Sequence, residues 1–392
     1  MITRRSLPAI VILTLIGPSC VLDQSHDMPL LRIGEQSLTV LSPADDALWA
    51  VRDLSEIEGT LWALTGSAPF VHGFEPQGER IATFGTAGDG PGEFRAPYAL
   101  WQGESDGTVT VWDAGLSVAL TLAMTGELVS SRPMRILGVI RADIGTVTFG
   151  DPFRVFRVPG ATVLGRYDSG VARPNDLWHG KLIRVPDHGR ADEDVIVDFA
   201  RDLPGAARRP AKPAVLVPVP LWDGCPDGRI VVLDPVGRTL YMFAPQQGPE
   251  VILLPWKPTG LLPAERLGYI RFQIAAELRS QDVTEAEIDR LAESALANAE
   301  DMFPSEAPIG VDLKCAHGQV WVQEFHGTSH PLGYGPVWRT VSIGGEVPQF
   351  ARIAFPPGFS PYRISASKAL GVVTDSLSLQ RAAIVELPLA LR

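Results

Sequence analysis

Apolar residues fall in short runs along most of this chain, and the runs come in pairs joined by glycine-bearing turns. In the clearest stretch, Asp106-Gly107 opens the run Thr108–Asp113, a second run covers Val118–Met124, and Thr125-Gly126-Glu127 closes the unit. Asp227-Gly228 opens a run ending at Asp234, followed by Arg238–Ala244. Glu58-Gly59 opens Thr60–Leu64, followed by Val71–Phe74 and Gln77-Gly78-Glu79. His317-Gly318 opens Gln319–Gln323, followed by Val337–Ile343 and Gly344-Gly345-Glu346. Weaker copies begin at Gly145 and Gly180. A polar residue followed by glycine supplies the positive φ of a tight hairpin. Ile230–Leu233 is apolar at every position, as a strand covered on both faces can be; a strand with one wet face would alternate.

The turn glycines stand at 59, 107, 145, 180, 228 and 318. Intervals of about 40–50 residues correspond to one four-stranded propeller blade per unit. The intervals around Gly145 and Gly180 are shorter, so these two can share one irregular blade. The pattern predicts an all-β fold, a six-bladed β-propeller, occupying 21–392 as a single domain. The long interval before Gly318 holds an insertion at about 263–304. Leu267, Ile270, Ile274 and Leu278 have helical spacing. Thr284-Glu285-Ala286-Glu287 is a capping box for a second helix carrying Ile288, Leu291 and Leu296, which Pro304 ends. This two-helix insertion between late blades reads as padding on one side of the disc, with a lid or partner surface as the alternative.

Composition narrows the location and the partners. Arg4 and Arg5 precede the apolar run Leu7–Ile16, which is too short to span a bilayer, and Cys20 follows Gly17 and Ser19. Residues 1–20 resemble a bacterial lipoprotein signal with Cys20 as the lipidated residue. Gly17 and Pro18 depart from the usual residues of that motif, and an ordinary cleaved signal is the alternative. Thr3–Leu7 also carries a faint twin-arginine pattern. The chain is therefore expected to be exported and held at the cell envelope, periplasmic or lipid-anchored, touching membrane only through that anchor. A formal net charge of −11 argues against nucleic acid as a partner. With Cys20 lipidated, Cys225 and Cys315 remain as a possible disulfide or as two small buried residues on neighbouring strands.

The run from Gly85 through Gly88-Asp89-Gly90-Pro91-Gly92-Glu93-Phe94 to Pro97-Tyr98 leads directly into the Gly107 unit. It resembles the blade linker of NHL-type six-bladed propellers, especially a group of exported bacterial propeller lipoproteins. Val320–Leu387 is similar in order but looser, with Phe355-Pro356-Pro357-Gly358-Phe359, Leu370-Gly371-Val372 and Asp375. Over 130–215 the similarity is poor. The resemblance implies fold and location, and little about activity.

Candidate chemistry is sparse. Gly88, Gly90 and Gly92 do not open a helix, being bracketed by Pro91 and Pro97, so they read as a linker in which Phe94 plugs between blades. His326 and His330, with Glu324 nearby, are the best metal-ligand candidates. The Gly-Thr-Ser between the histidines reads as a polar surface loop, and zinc needs three or four converging ligands. No serine nucleophile elbow and no paired-histidine zinc helix occurs. Asp113 and Asp234 recur at matching positions, which points to strand-end roles. Trp62, Trp112 and Trp321 lie on repeat strands and are expected between blades. No catalytic, metal or cofactor residue is assigned, and the cofactor is unknown. The expected function is a non-enzymatic, monomeric envelope propeller binding a protein, peptide or glycan. The alternative is a metal-assisted hydrolase or lyase in the central channel.

Overall fold

The computed structural model describes residues 28–41, 47–134, 154–158, 161–167, 180–186, 194–203, 220–234, 238–244, 248–257, 260–278, 283–299, 303, 305–325, 337–345, 347–375 and 379–388. Cys20, Gly145, His326 and His330 lie outside them.

Six four-stranded antiparallel blades follow one another along the chain. Their first strands are Val51–Ile57, Pro97–Gln102, Val155–Val158, Leu221–Gly224, Asp312–Ala316 and Phe359–Ile364. In the first five blades the remaining strands are added outward in sequence order. The sixth differs: its outermost strand is the N-terminal Leu38–Val40, paired antiparallel with Gln380–Glu386. Just before it, Leu30–Arg32 adds a parallel fifth strand to the fifth blade beside Phe350–Ala354. The N-terminal segment thus stitches two blades together.

The turn glycines account for this register. Glu58 and Gly59 take φ values of 52° and 79°, and His317 and Gly318 take 43° and 73°. Two consecutive positive φ values define the tight hairpin whose twist matches its strands. Four glycines, 59, 107, 228 and 318, lie between the first and second strands of their blades. Gly180 does not: it begins the third strand of the third blade, Gly180–Pro186. Gly180 therefore marks no blade of its own, and Gly145 falls on residues that are not described. The sixth blade has no glycine at this turn. There Ser365 Oγ accepts from Lys368 N (3.2 Å) and donates to Lys368 O (2.9 Å).

Second strands carry the core. Every residue of Thr108–Asp113 and Ile230–Asp234 is buried, because both faces of a blade are covered by its neighbours. Trp62 packs between the first and second blades, Trp112 between the second and third, and Trp321 between the fifth and sixth. Phe94 is fully buried among the side chains of the first two blades, its ring edge-on to Phe70 at 5.8 Å. A β-carbon at Gly85, where φ is +90°, would lie 2.6 Å from the Phe94 ring, so the linker glycine makes room for the plug. Asp113 is a turn residue, accepting from Arg95 N (2.7 Å), Ala96 N (3.1 Å) and Leu116 N (2.8 Å).

The insertion forms two helices, Pro263–Glu277 and Glu285–Ala299. They share a small core with Leu261, Phe303, Ala307 and Phe325, and Arg271 of the first helix pairs with Glu285 and Asp289 of the second. Cys225 and Cys315, in neighbouring blades four and five, have their Sγ atoms 1.98 Å apart and their Cα atoms 4.9 Å apart.

Candidate functional site

A cavity of about 570 Å³ is lined by the first strands of all six blades, with Gln323 and Trp338 of the fifth blade completing it. First strands that line one cavity are the innermost strands, so the cavity is the central channel. In five of the six blades a lining residue stands at or just before the start of the first strand: Arg52, Tyr98, Arg154, Val311 and Ser360. The cavity therefore opens at the end of the disc where the inner strands begin.

That end also carries the long connections. In an antiparallel blade, the links between second and third strands, and between one blade and the next, share one end. Residues 85–96, 134–154, 168–179, 199–220, 254–311 and 324–336 all join strands there. At the opposite end the longest links are 187–193 and 343–349.

Three inner strands are broken by a bulge close to the cavity. Val51 pairs with Thr65 and Asp53 with Leu64, which leaves Arg52 as the extra residue. Pro97 pairs with Asp113 and Ala99 with Trp112, leaving out Tyr98. Pro361 pairs with Gly371 and Arg363 with Leu370, leaving out Tyr362. A bulge re-aims the extra side chain and bends its strand. Here three consecutive blades, the sixth, first and second, each present one bulged residue to the cavity. Tyr362 donates from its hydroxyl to Val51 O (2.6 Å), and Arg52 donates to Pro97 O (2.8 Å). The guanidinium is thereby bracketed by the two tyrosine-bearing strands.

On the other side, Arg154 crosses from the third blade to the fifth. It donates to Trp222 O (3.0 Å), to Leu313 O and to Asp312 Oδ1 (2.6 Å), and lies 3.6 Å from Asp223 Oδ1. Lys314 Nζ stands 2.9 Å from Asp312 Oδ2. Burial and the neighbouring Arg154 hold the Lys314 ammonium below the usual lysine range, against the pull of Asp312 and Asp223. Burial pushes the Asp312 carboxyl up, but Lys314 and Arg154 outweigh it and leave it below the usual range. Asp53 and Asp223 play matching parts. Asp53 accepts from Leu100 N and Asp223 from Cys315 N, both at 2.9 Å, each tying an inner strand to that of the next blade. Asp53 also pairs with Arg363 at 3.0 Å. Four cations (Arg52, Arg154, Lys314, Arg363) thus face three carboxylates (Asp53, Asp223, Asp312). Among the described residues the lining carries one more basic than acidic group, inside a chain of net charge −11.

Glu324, weighed as a metal ligand, is instead saturated by arginines. Its carboxylate accepts from Arg339 Nε (2.8 Å) and from Arg352 Nε (2.6 Å) and Nη2 (2.7 Å). Among the described residues no group of three or more His, Cys, Asp or Glu side chains is placed to hold a metal ion. Sequence reasoning missed the channel residues, although one signal was available. Asp53 and Asp312 stand at the same interval before Gly59 and Gly318, and Asp223 stands one residue closer to Gly228.

Fold and site together define a six-bladed β-propeller with a charged central channel open at its long-looped end. No protein-family model and no curated protein matches the chain. Solved structures with a similar course include a protein from Bacteroides fragilis described as exported. It is 9% identical with a TM-score of 0.49, covering 91% of this chain and 99% of that one. A member of the DUF4221 family from Bacteroides vulgatus is 8% identical, TM-score 0.48, covering 91% and 95%. Virginiamycin B lyase from Staphylococcus aureus is 8% identical, TM-score 0.42, covering 90% and 98%.

Proposed function

We propose that this chain is an exported, non-enzymatic binding propeller of the cell envelope, tethered through lipid on Cys20, with 21–392 folded as one monomeric domain. It takes its ligand, a peptide, a glycan or a group displayed on a protein, at the mouth of the central channel. One observation carries the reading: the cavity and the long connections share one end of the disc, while the other end is built from short turns. Binding residues gather on loops held by a rigid scaffold, and ligand sites are concave and contain a few convergent polar groups. The N-terminal signal pattern and the Cys225–Cys315 bridge both suit an oxidising compartment. A metal-assisted hydrolase or lyase in the same channel would need three or four converging ligands, which the described residues do not supply.

The test uses purified protein lacking 1–19, incubated with a small-molecule and glycan extract of the host envelope, dialysed and analysed by mass spectrometry. A compound retained at near-stoichiometric amount, recovered unchanged and lost on blocking the channel supports the reading. Turnover of that compound, or retention of nothing, refutes it. Anchoring is tested separately: Cys20→Ser is expected to move the protein from the membrane pellet to the soluble envelope fraction.

A further inference from the structure

The channel mouth has two unlike halves. On the side of blades three to five, Arg154, Lys314, Asp223 and Asp312 satisfy one another. On the side of blades five, six and one, hydrogen-bonding groups are left over. Arg52 is exposed, makes a single hydrogen bond, to the Pro97 carbonyl, and forms no ion pair among the described residues. The Ser360 hydroxyl and the Gln323 amide line the same cavity without a side-chain partner among those residues.

These leftovers have a consistent chemistry. Arginine has donors only and matches a carboxylate or phosphate; a hydroxyl and an amide can each donate or accept. The cavity therefore asks for an anionic group at one point and an uncharged polar group at another. Tyr98 and Tyr362, the bulged residues on either side of Arg52, supply aromatic walls for a flat or ring-shaped body. A cavity of about 570 Å³ suits a ligand of sugar or aromatic-acid size. Resting on the binding function proposed above, we infer that the channel is a receptor for a small ring-bearing organic anion, whose charge is taken by Arg52 and whose far end meets Gln323 and Ser360. Carboxylate and phosphate monoester share this chemistry.

The test is calorimetric titration with D-glucuronate, D-glucose 1-phosphate and 4-hydroxybenzoate, each set against its uncharged counterpart, D-glucose or 4-hydroxybenzamide. At least one anion is expected to bind tenfold or more tightly than its neutral counterpart, and the better of glucuronate and glucose 1-phosphate identifies the charged head. Arg52→Gln should abolish that preference and Arg52→Lys should retain part of it. Arg229→Gln, on the opposite end of the disc, changes net charge equally and should leave the preference intact. Circular dichroism melting verifies that each variant folds. The inference is overturned if no anion of the panel binds the wild-type protein, or if the preference survives in Arg52→Gln. Should the panel fail while the envelope extract still yields a retained compound, only the ligand class falls; if the extract also yields nothing, the binding function falls with it.

Discussion

Replacing Cys225 and Cys315 together by alanine removes the covalent tie between the fourth and fifth blades. The bridge closes a sequence separation of 90 residues. For a loop of that size the chain-entropy treatment gives about 4.6 kcal/mol of stabilisation at 25 °C. Two effects act on that figure in opposite directions. The intervening chain includes a helix pair with its own small core, and any of it that persists in the denatured state lowers the loss. The two sulfurs are buried in the shared core of these blades, and deleting them leaves a small cavity that raises it. A net loss of roughly 3–5 kcal/mol is expected. Urea unfolding followed by tryptophan fluorescence measures it, and the slope against urea should rise, because an unlinked denatured chain exposes more surface. Wild-type protein in reductant, with two free thiols confirmed by titration, should superimpose on the double variant. A loss below about 1 kcal/mol in the unlinked protein would show that the denatured chain is not constrained by this link, and the entropy argument would fail.

Removing the Glu324 carboxylate strands two guanidinium groups. Glu324→Ala is expected to destabilise by roughly 3 kcal/mol in the same urea assay, and an unchanged midpoint refutes this. Burial pushes the Glu324 carboxyl up, but Arg352 and Arg339 hold it below its ordinary value of 4.5. Its stabilisation is therefore fully present above that value and is lost as pH falls through the lower folded value, so Glu324→Gln should flatten the acid limb of a stability–pH curve. A β-carbon at Gly371 would lie 2.3 Å from the Ser360 carbonyl oxygen and 2.6 Å from the Phe359 ring. Gly371→Ala should push the sixth inner strand toward the channel and cost about 2 kcal/mol; an unaltered melting temperature would contradict the close approach.

The blades were legible where local chemistry repeats. Four of the six carry a polar-Gly turn ahead of an apolar second strand, since a tight hairpin needs positive φ and a covered strand needs no alternation. The last blade was harder to read because Ser365 does with its hydroxyl what glycine does elsewhere. Gly180 misled for the opposite reason: a glycine followed by β-formers also describes a third strand. The site was almost invisible. Arg52, Tyr98 and Tyr362 reach the channel because each is the surplus residue of a bulge, and a bulge is a property of two paired strands. Arg154 and Asp312 lie 158 residues apart, and nothing local to either announces the other.

The stitch made by the N-terminal segment has a consequence for how the molecule comes into being. Leu38–Val40 is synthesised long before its partner Gln380–Glu386. Until that partner arrives the sixth blade lacks a strand, and five blades can form only an open crescent with a bare edge. Contacts between such distant parts of a chain are slow to form. A growing chain would thus be unable to latch, and circularity would come only once Gln380–Glu386 is available to pair.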